Sequence, residues 1–251
     1  MTRRRIIKKF FDSKLILSSC FYILDSKFDV NTYIKWMKNF IKYVKNFKLI
    51  IYCHQKSYQI IKDLVKDNPN IKIIIKEIEE FYLYKYKDYF IKNHQINELL
   101  KNKIEWKLNL LWCEKCFFVK DTIDNNYFQG NYFGWCDIGY FRTKTSKGWP
   151  GKLNLEDKIY YNSISNYKQV KKINKAVDPT QNSICGGFFI AKKEKSLWWT
   201  NKFEEKLKYY IDNNLLIKDD QTLIVDCLQE DNNNFKILLS KDWFYFIDFL
   251  T

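Results

Sequence analysis

The chain has 251 residues, a formal net charge of +14 from 43 Lys and Arg against 29 Asp and Glu, and an aromatic share of 18%. That length suits one large α/β domain or two small ones and buries roughly 70–75% of the unfolded surface, so no covalent staples are needed. Seven scattered cysteines argue against a disulfide scaffold, no apolar run reaches the ~18 residues of a membrane span, and the spread-out charge lacks the patch of a specific nucleic-acid binder.

What remains open to a basic chain is attraction to smaller anions, nucleotide diphosphates among them. Residues 1–13 form a short basic extension ahead of an apolar run. Asp12 and the lack of a small-residue cleavage site speak against a secretion signal, so the expected setting is cytoplasmic, with reduced thiols. Residues 15–24 (LILSSCFYIL) read as a buried first strand, in which the small pair Ser18-Ser19 would let a ligand approach. Asp29 or Asn31 can cap a helix over 31–46, with Tyr33, Trp36, Met37, Phe40, Ile41 and Val44 on one face. A strand over 49–53, a helix from Ser57, a turn at Asn68-Pro69-Asn70 and a strand over 71–76 follow. Strand–helix–strand–helix–strand at these lengths is the pattern of right-handed crossovers over a parallel sheet.

Residues 77–102 suggest helical pieces, and 104–118 a helix with Ile104, Leu108, Leu111 and Trp112 on one side. A polar loop leads into NYFGWCDIGYFR (131–142), an apolar strand that ends where Asp137 emerges. Residues 143–157 read as a loop, 158–161 as a strand, 162–179 as a polar, mobile segment and 184–191 as a strand containing Gly186 and Gly187. Helices are expected over 195–210 and 219–228, and closing strands over Phe235–Leu239 and 243–249. No linker or composition break divides the chain, so 1–251 is read as a single domain.

Ligands of open α/β sheets bind at the carboxyl ends of the strands. A lone carboxylate there, Asp137, suits a divalent metal or a ribose hydroxyl, or simply caps the next turn. Glycines inside a strand weaken it unless a bulge or a close-approaching ligand needs the missing side chain, and Gly186-Gly187 is read as a ligand contact. Asp219, Asp220 and Gln221 open a helix; capping explains at least one of the acids, and Asp220 or Gln221 could point into the cleft of Asp137. Arg142 could clamp a phosphate or pair with Asp137. Cys113-x-x-Cys116 lacks a second pair and falls within a helix, which disfavours zinc or redox chemistry. The glycine-rich signatures of dinucleotide-binding folds and P-loops are absent, and the two histidines, His54 and His94, belong to no ligand cluster.

The order WKLNLLWCEKCFFVKDTI, YFGWCDIGYFR, SICGGFFIAKKE, DDQTLIVDCL resembles the HtrL/YibB/WlaTC-like family of glycosyltransferases, and more distantly the GT-A fold of nucleotide-sugar-dependent enzymes, over about residues 15–240. The resemblance implies an α/β, GT-A-like, Rossmann-like fold with a mixed, mostly parallel central sheet flanked by helices. It implies that Asp137 stands for the first acid of a D-x-D element, with Gly139 where the second would be. Asp137 then holds Mn²⁺ or Mg²⁺ with help from elsewhere, or holds the ribose instead. Ser19, Phe21 and Tyr22 fall where the nucleotide base is seated, and Trp135 lies in the same motif as Asp137. Lys107 and Arg142 fall at basic positions that meet the diphosphate. Gly186 and Gly187 line the sugars, and Asp220-Gln221, with Asp219 beside them, approaches the transferred sugar. The expected reaction carries a sugar from a nucleotide-sugar donor, expected to be UDP-linked, to a glycan, lipid or protein acceptor. A nucleotidyltransferase, or a basic binding module on a degenerate nucleotide-binding scaffold, is the alternative.

Overall fold

The computed structural model describes residues 15–143, 148–181 and 183–251. The basic extension 1–13 and part of the loop expected over 143–157 lie outside them. Strand β1 (Leu15–Phe21) is buried on both faces, which is why its sequence runs apolar without alternation. Its residues still alternate in space. Ile16 and Cys20 join one core cluster, and Leu15, Leu17 and Phe21 join another on the opposite face. The strand stops at Phe21, short of Leu24, because the chain turns away there toward helix α1 (Val30–Ile41). Asp29 caps α1, accepting from the Thr32 amide at 3.0 Å.

Strand β2 (Lys48–Cys53), helix α2 (Gln55–Val65) and strand β3 (Ile71–Ile75) complete a parallel unit, with β2 beside β1 and β3 outside β2. After α3 (Lys87–Ile96) comes α4 (Trp106–Asp124), which runs one and a half turns past the expected end. The extension follows from its buried contacts. The Thr122 hydroxyl lies 2.8 Å from that of Ser18 and 2.9 Å from that of Tyr52, and Val119 and Ile123 are core residues. The small pair on β1 therefore admits a helix, not a ligand.

Strand β4 (Tyr132–Cys136) pairs with β1 in parallel, and β5 (Ile159–Ser163) follows farther along the chain. The segment 162–179 is built, not loose. It carries the short hairpin β6 (Lys172–Ile173) and β7 (Ala176–Val177), pinned by an ion pair between Lys172 and the fully buried Asp226 at 2.5 Å. Strand β8 (Phe188–Lys192) begins after the glycine pair, which occupies a turn instead of the strand interior. Helices α5 (Lys193–Asp212) and α6 (Asp220–Glu230), strand β9 (Phe235–Leu239) and helix α7 (Phe246–Phe249) close the chain. The last was expected as a strand. Phe246, Ile247 and Leu250 instead bury one side of a short helix against Phe188.

The main sheet has the order β3-β2-β1-β4-β8-β5-β9. Pairing is parallel except at β8, which runs against both β4 and β5. It is a mixed, mostly parallel sheet with α1, α2 and α7 on one face and α4, α5 and α6 on the other. Because β8 is reversed, it enters the sheet at the edge where β1, β2 and β4 leave it. The Asp137 amide there donates to the Gly187 carbonyl at 2.8 Å.

Candidate functional site

Three segments distant in sequence converge at this edge. Asp137 follows β4, the glycine pair precedes β8, and Asp220 opens α6. A side chain that the motif reading did not single out joins them. Lys115, in the middle of α4, has its ammonium 3.1 Å from Asp137 Oδ1, 3.0 Å from Asp220 Oδ2 and 2.9 Å from the Gly186 carbonyl. Three oxygens match the three N–H groups of an ammonium in number. The contact to the Gly186 carbonyl is a hydrogen bond, whereas that to Asp220 is an ion pair without hydrogen-bond geometry. The Lys115 side chain is 8% exposed and that of Asp220 6%, while that of Asp137 is 43% exposed. The cluster thus has a buried rear and one open front, the carboxylate of Asp137.

Its sequence signal is Glu114-Lys115, a charged pair within a helix otherwise buried nearly all round. Glu114 is accounted for separately, since its oxygens accept from the Tyr82 and Leu83 amides at 2.7 and 3.0 Å. Burial pulls the Lys115 ammonium toward neutrality, but the Asp137 and Asp220 carboxylates outweigh it and raise its pKa. Asp220 is pushed up to about 7 by burial, with Lys115 opposing. Lys115 therefore stays charged.

The glycines fit this packing. A Cβ on Gly186 would lie 2.8 Å from Asp220 Oδ2, and one on Gly187 would lie 3.1 Å from Asp137 Oδ2. Gly139, where a second acid would complete a D-x-D element, faces the ring of Trp36, and a Cβ there would lie 2.8 Å from a ring carbon. The same indole supports Arg142, whose guanidinium carbon is 4.2 Å from the Trp36 ring centre, 4.9 Å from Phe28 and 5.1 Å from Phe244. Among the described residues no carboxylate lies within ion-pair distance of Arg142, so it does not pair with Asp137. Burial lowers its pKa, and an arginine remains charged regardless.

Asp137 and Arg142 both line a cleft walled by aromatic residues, including Phe21, Tyr22, Trp112 and Trp135. Trp135 donates its indole N–H to Asp137 Oδ1 at 2.6 Å, fixing the carboxylate. The closed part of the cleft holds about 120 Å³. That accepts a ring but falls below the roughly 300 Å³ at which pockets for larger ligands begin. The rest of a ligand would lie along the open mouth, where an adjoining hollow shares Leu24 and Ser26.

Of the residues expected here, Phe21, Tyr22, Trp135, Asp137, Gly139 and Arg142 line the cleft. Ser19 does not: it is fully buried in β1 and its hydroxyl has no partner. Lys107 is half-buried in the first turn of α4 and is not part of the lining. Gly186, Gly187 and Asp220 stand behind Asp137, not on the wall. Asp219 sits at the cap position of α6 but makes no capping bond; its carboxylate lies 3.5 Å from the Lys218 ammonium instead. Gln221 keeps a buried side-chain oxygen without a partner. The backbone ahead of Asp219 is clamped by amides that the motif reading missed. Asn93 exchanges two hydrogen bonds with Ile217, at 2.7 and 2.8 Å, and Asn97 and Asn109 donate to the Lys218 carbonyl.

The expected Mn²⁺ or Mg²⁺ finds little to hold it. Such ions take several oxygen ligands, with one or two carboxylates and substrate phosphates typical for Mg²⁺. Of the oxygens that could serve, Asp137 Oδ1, Asp220 Oδ2 and the Gly186 carbonyl already surround an ammonium, which leaves the other Asp137 oxygen as a single open ligand. Among the described residues no group of three or more His, Cys, Asp or Glu could hold a metal ion. The residues present do not fit a divalent cation. Cys113 and Cys116 are both buried and free, and burial drives their thiols up, away from the thiolate that metal binding needs.

No family model matches the sequence, and no curated protein matches it. The HtrL/YibB/WlaTC resemblance therefore rests on its motifs alone. Among solved structures, the chain is similar to the galactosyltransferase LgtC in complex with donor and acceptor sugar analogues, at 10% identity, covering 88% of this chain and 72% of that one, with a TM-score of 0.49. It is similar to core-mannan synthase A of Aspergillus fumigatus in its Mn/GDP form, at 11% identity, covering 90% and 72%, with a TM-score of 0.47. It is also similar to 4-diphosphocytidyl-2C-methyl-D-erythritol synthase of Anaerococcus prevotii, at 13% identity, covering 95% and 97%, with a TM-score of 0.47. These are likenesses of chain path alone.

Proposed function

We propose that the chain is a glycosyltransferase that binds a nucleotide-sugar donor in the cleft of Asp137 and Arg142. The observation that carries this reading is that a half-exposed carboxylate and an arginine free of any carboxylate partner among the described residues line one cleft, at the carboxyl edge of a mostly parallel sheet. An arginine presented on aromatic rings is suited to a phosphate. The aromatic floor suits a flat base, and the Asp137 carboxylate suits a hydroxyl. In the reaction, an acceptor hydroxyl oxygen bonds to the anomeric carbon while the bond from that carbon to the diphosphate breaks. The bonding pair leaves on the diphosphate oxygen beside Arg142, which stabilises the charge as it forms. The hydroxyl proton passes to a base, and the open oxygen of Asp137 is the exposed carboxylate in reach. Asp220 acts behind it, as a positioning residue through Lys115. Seven buried free thiols suit a reducing, cytoplasmic setting, and among the described residues no helix is long and apolar enough to cross a membrane.

Thermal unfolding with UDP, GDP and CMP tests this reading. A ligand at 100 times its Kd stabilises by about 2.7 kcal/mol, which for a chain of this size raises Tm by roughly 5–10 °C. The expected result is a rise with a nucleoside diphosphate that Asp137→Ala weakens and Arg142→Ala abolishes. If no nucleotide stabilises the protein, while polyanions of any kind bind in a salt-sensitive way that Asp137→Ala leaves unchanged, the chain is a basic binding module.

A further inference from the structure

Nucleoside diphosphates are commonly held through a divalent ion, because two phosphates concentrate negative charge next to acidic side chains. This cleft solves the same electrostatic problem differently. Three features leave a metal no oxygen set beyond the open side of Asp137. The Lys115 ammonium occupies the centre of the oxygen set, at 2.9–3.1 Å from Gly186, Asp220 and Asp137. The ring of Trp36 leaves no room for a second acid at position 139. The turn at Gly186 places backbone where a further ligand would otherwise reach Asp220, with no space even for a methyl group. A dication beside a fixed ammonium would be repelled, and displacing the ammonium would strand a buried charge.

The cationic work is divided between two residues. Lys115 offsets carboxylate charge at Asp137 and Asp220 from behind, which lessens the repulsion an anion meets at the cleft floor. Arg142, raised on Trp36, Phe28 and Phe244, faces the mouth. Resting on the donor reading given above, we propose that the cleft binds nucleoside diphosphate without a divalent metal, Lys115 standing where the ion would be.

The test has an arm that needs no nucleotide. Mn²⁺ is titrated into the wild-type chain alone and the free ion is followed by its paramagnetic resonance signal. No saturable binding is expected up to about 1 mM, the weak end of the range for oxygen-ligand sites. Binding that Asp137→Asn removes would overturn the proposal. In the second arm, UDP stabilisation is compared in EDTA and in Mn²⁺. Equal shifts support the proposal, and a shift lost in EDTA and restored by Mn²⁺ overturns it. If UDP gives no shift in either condition, the donor reading fails, and the Mn²⁺ titration still decides whether the cleft takes a metal. Lys115→Ala frees the oxygens and should make UDP stabilisation Mn²⁺-dependent, an effect that a merely structural lysine would not produce. A folded Lys115→Ala protein that ignores Mn²⁺ overturns the assignment of Lys115; if the variant does not fold, the two wild-type arms suffice.

Discussion

At the scale of single residues, the site is shaped by what sits beside Gly139, Gly186 and Gly187 and by its buried ionisable groups. Gly139 is a consequence of Trp36, whose indole fills the space a side chain would take and carries Arg142 on its ring. Gly139→Asp should therefore fail to create a metal site. It should instead cost about 1–3 kcal/mol of stability by overpacking, read as a lower urea midpoint at unchanged slope. Glu114 makes a different prediction. Burial pushes its carboxyl from 4.5 up to about 8, with the Leu83 and Tyr82 amides opposing. A folded-state pKa above the unfolded value means that this contribution to stability is fully present below pH 4.5 and is lost as pH rises toward 8. Asp220 adds a shift of the same sign between 3.8 and about 7. Wild-type stability should decline across this window, and Glu114→Gln should show a shallower decline in denaturant titrations at successive pH values. The motifs single out Asp137 and the glycine pair, though the pair lies in a turn and not in the expected strand, and they pass over Lys115. A charged side chain in a helix is ordinarily solvated; only the surrounding Leu110, Leu111, Cys113, Cys116, Phe117 and Phe118 mark Lys115 as buried.

At the scale of elements, the delivery of Asp220 depends on the segment before α6 more than on the helix itself. Asn93 on α3 and Asn109 on α4 both donate to the Ile217 carbonyl, and Tyr89 donates to that of Leu215 at 2.6 Å. Asn93 also accepts from the Ile217 amide, so Asn93→Ala strands a buried N–H. The expected cost is about 1–3 kcal/mol, with amide exchange accelerated at Ile217, Lys218 and Asp219 ahead of the rest of the chain. Uniform acceleration would show that the clamp supports global stability only. This arrangement was hidden in the sequence because asparagines at 93, 97 and 109 meet backbone, and backbone carries no side-chain signal. The α4 extension and α7 were missed for a related reason. Apolar residues at 119, 123, 246 and 247 fit helix and strand spacing equally over such short runs.

At the scale of the molecule, the parallel half of the sheet was legible because strands buried on both faces read as unbroken apolar runs, as in β1 and β2. The reversal of β8 was not, since direction leaves no trace in composition. Yet that reversal brings Gly187 to Asp137 and lets three distant segments share one edge. A structure of the protein crystallised with UDP and without added metal tests the account most directly. The account predicts the diphosphate within about 4 Å of the Arg142 guanidinium, the base among Phe21, Tyr22 and Trp112, and Lys115 still between Asp137 and Asp220. UDP seated on another face, with Arg142 and Asp137 left bare, would contradict it.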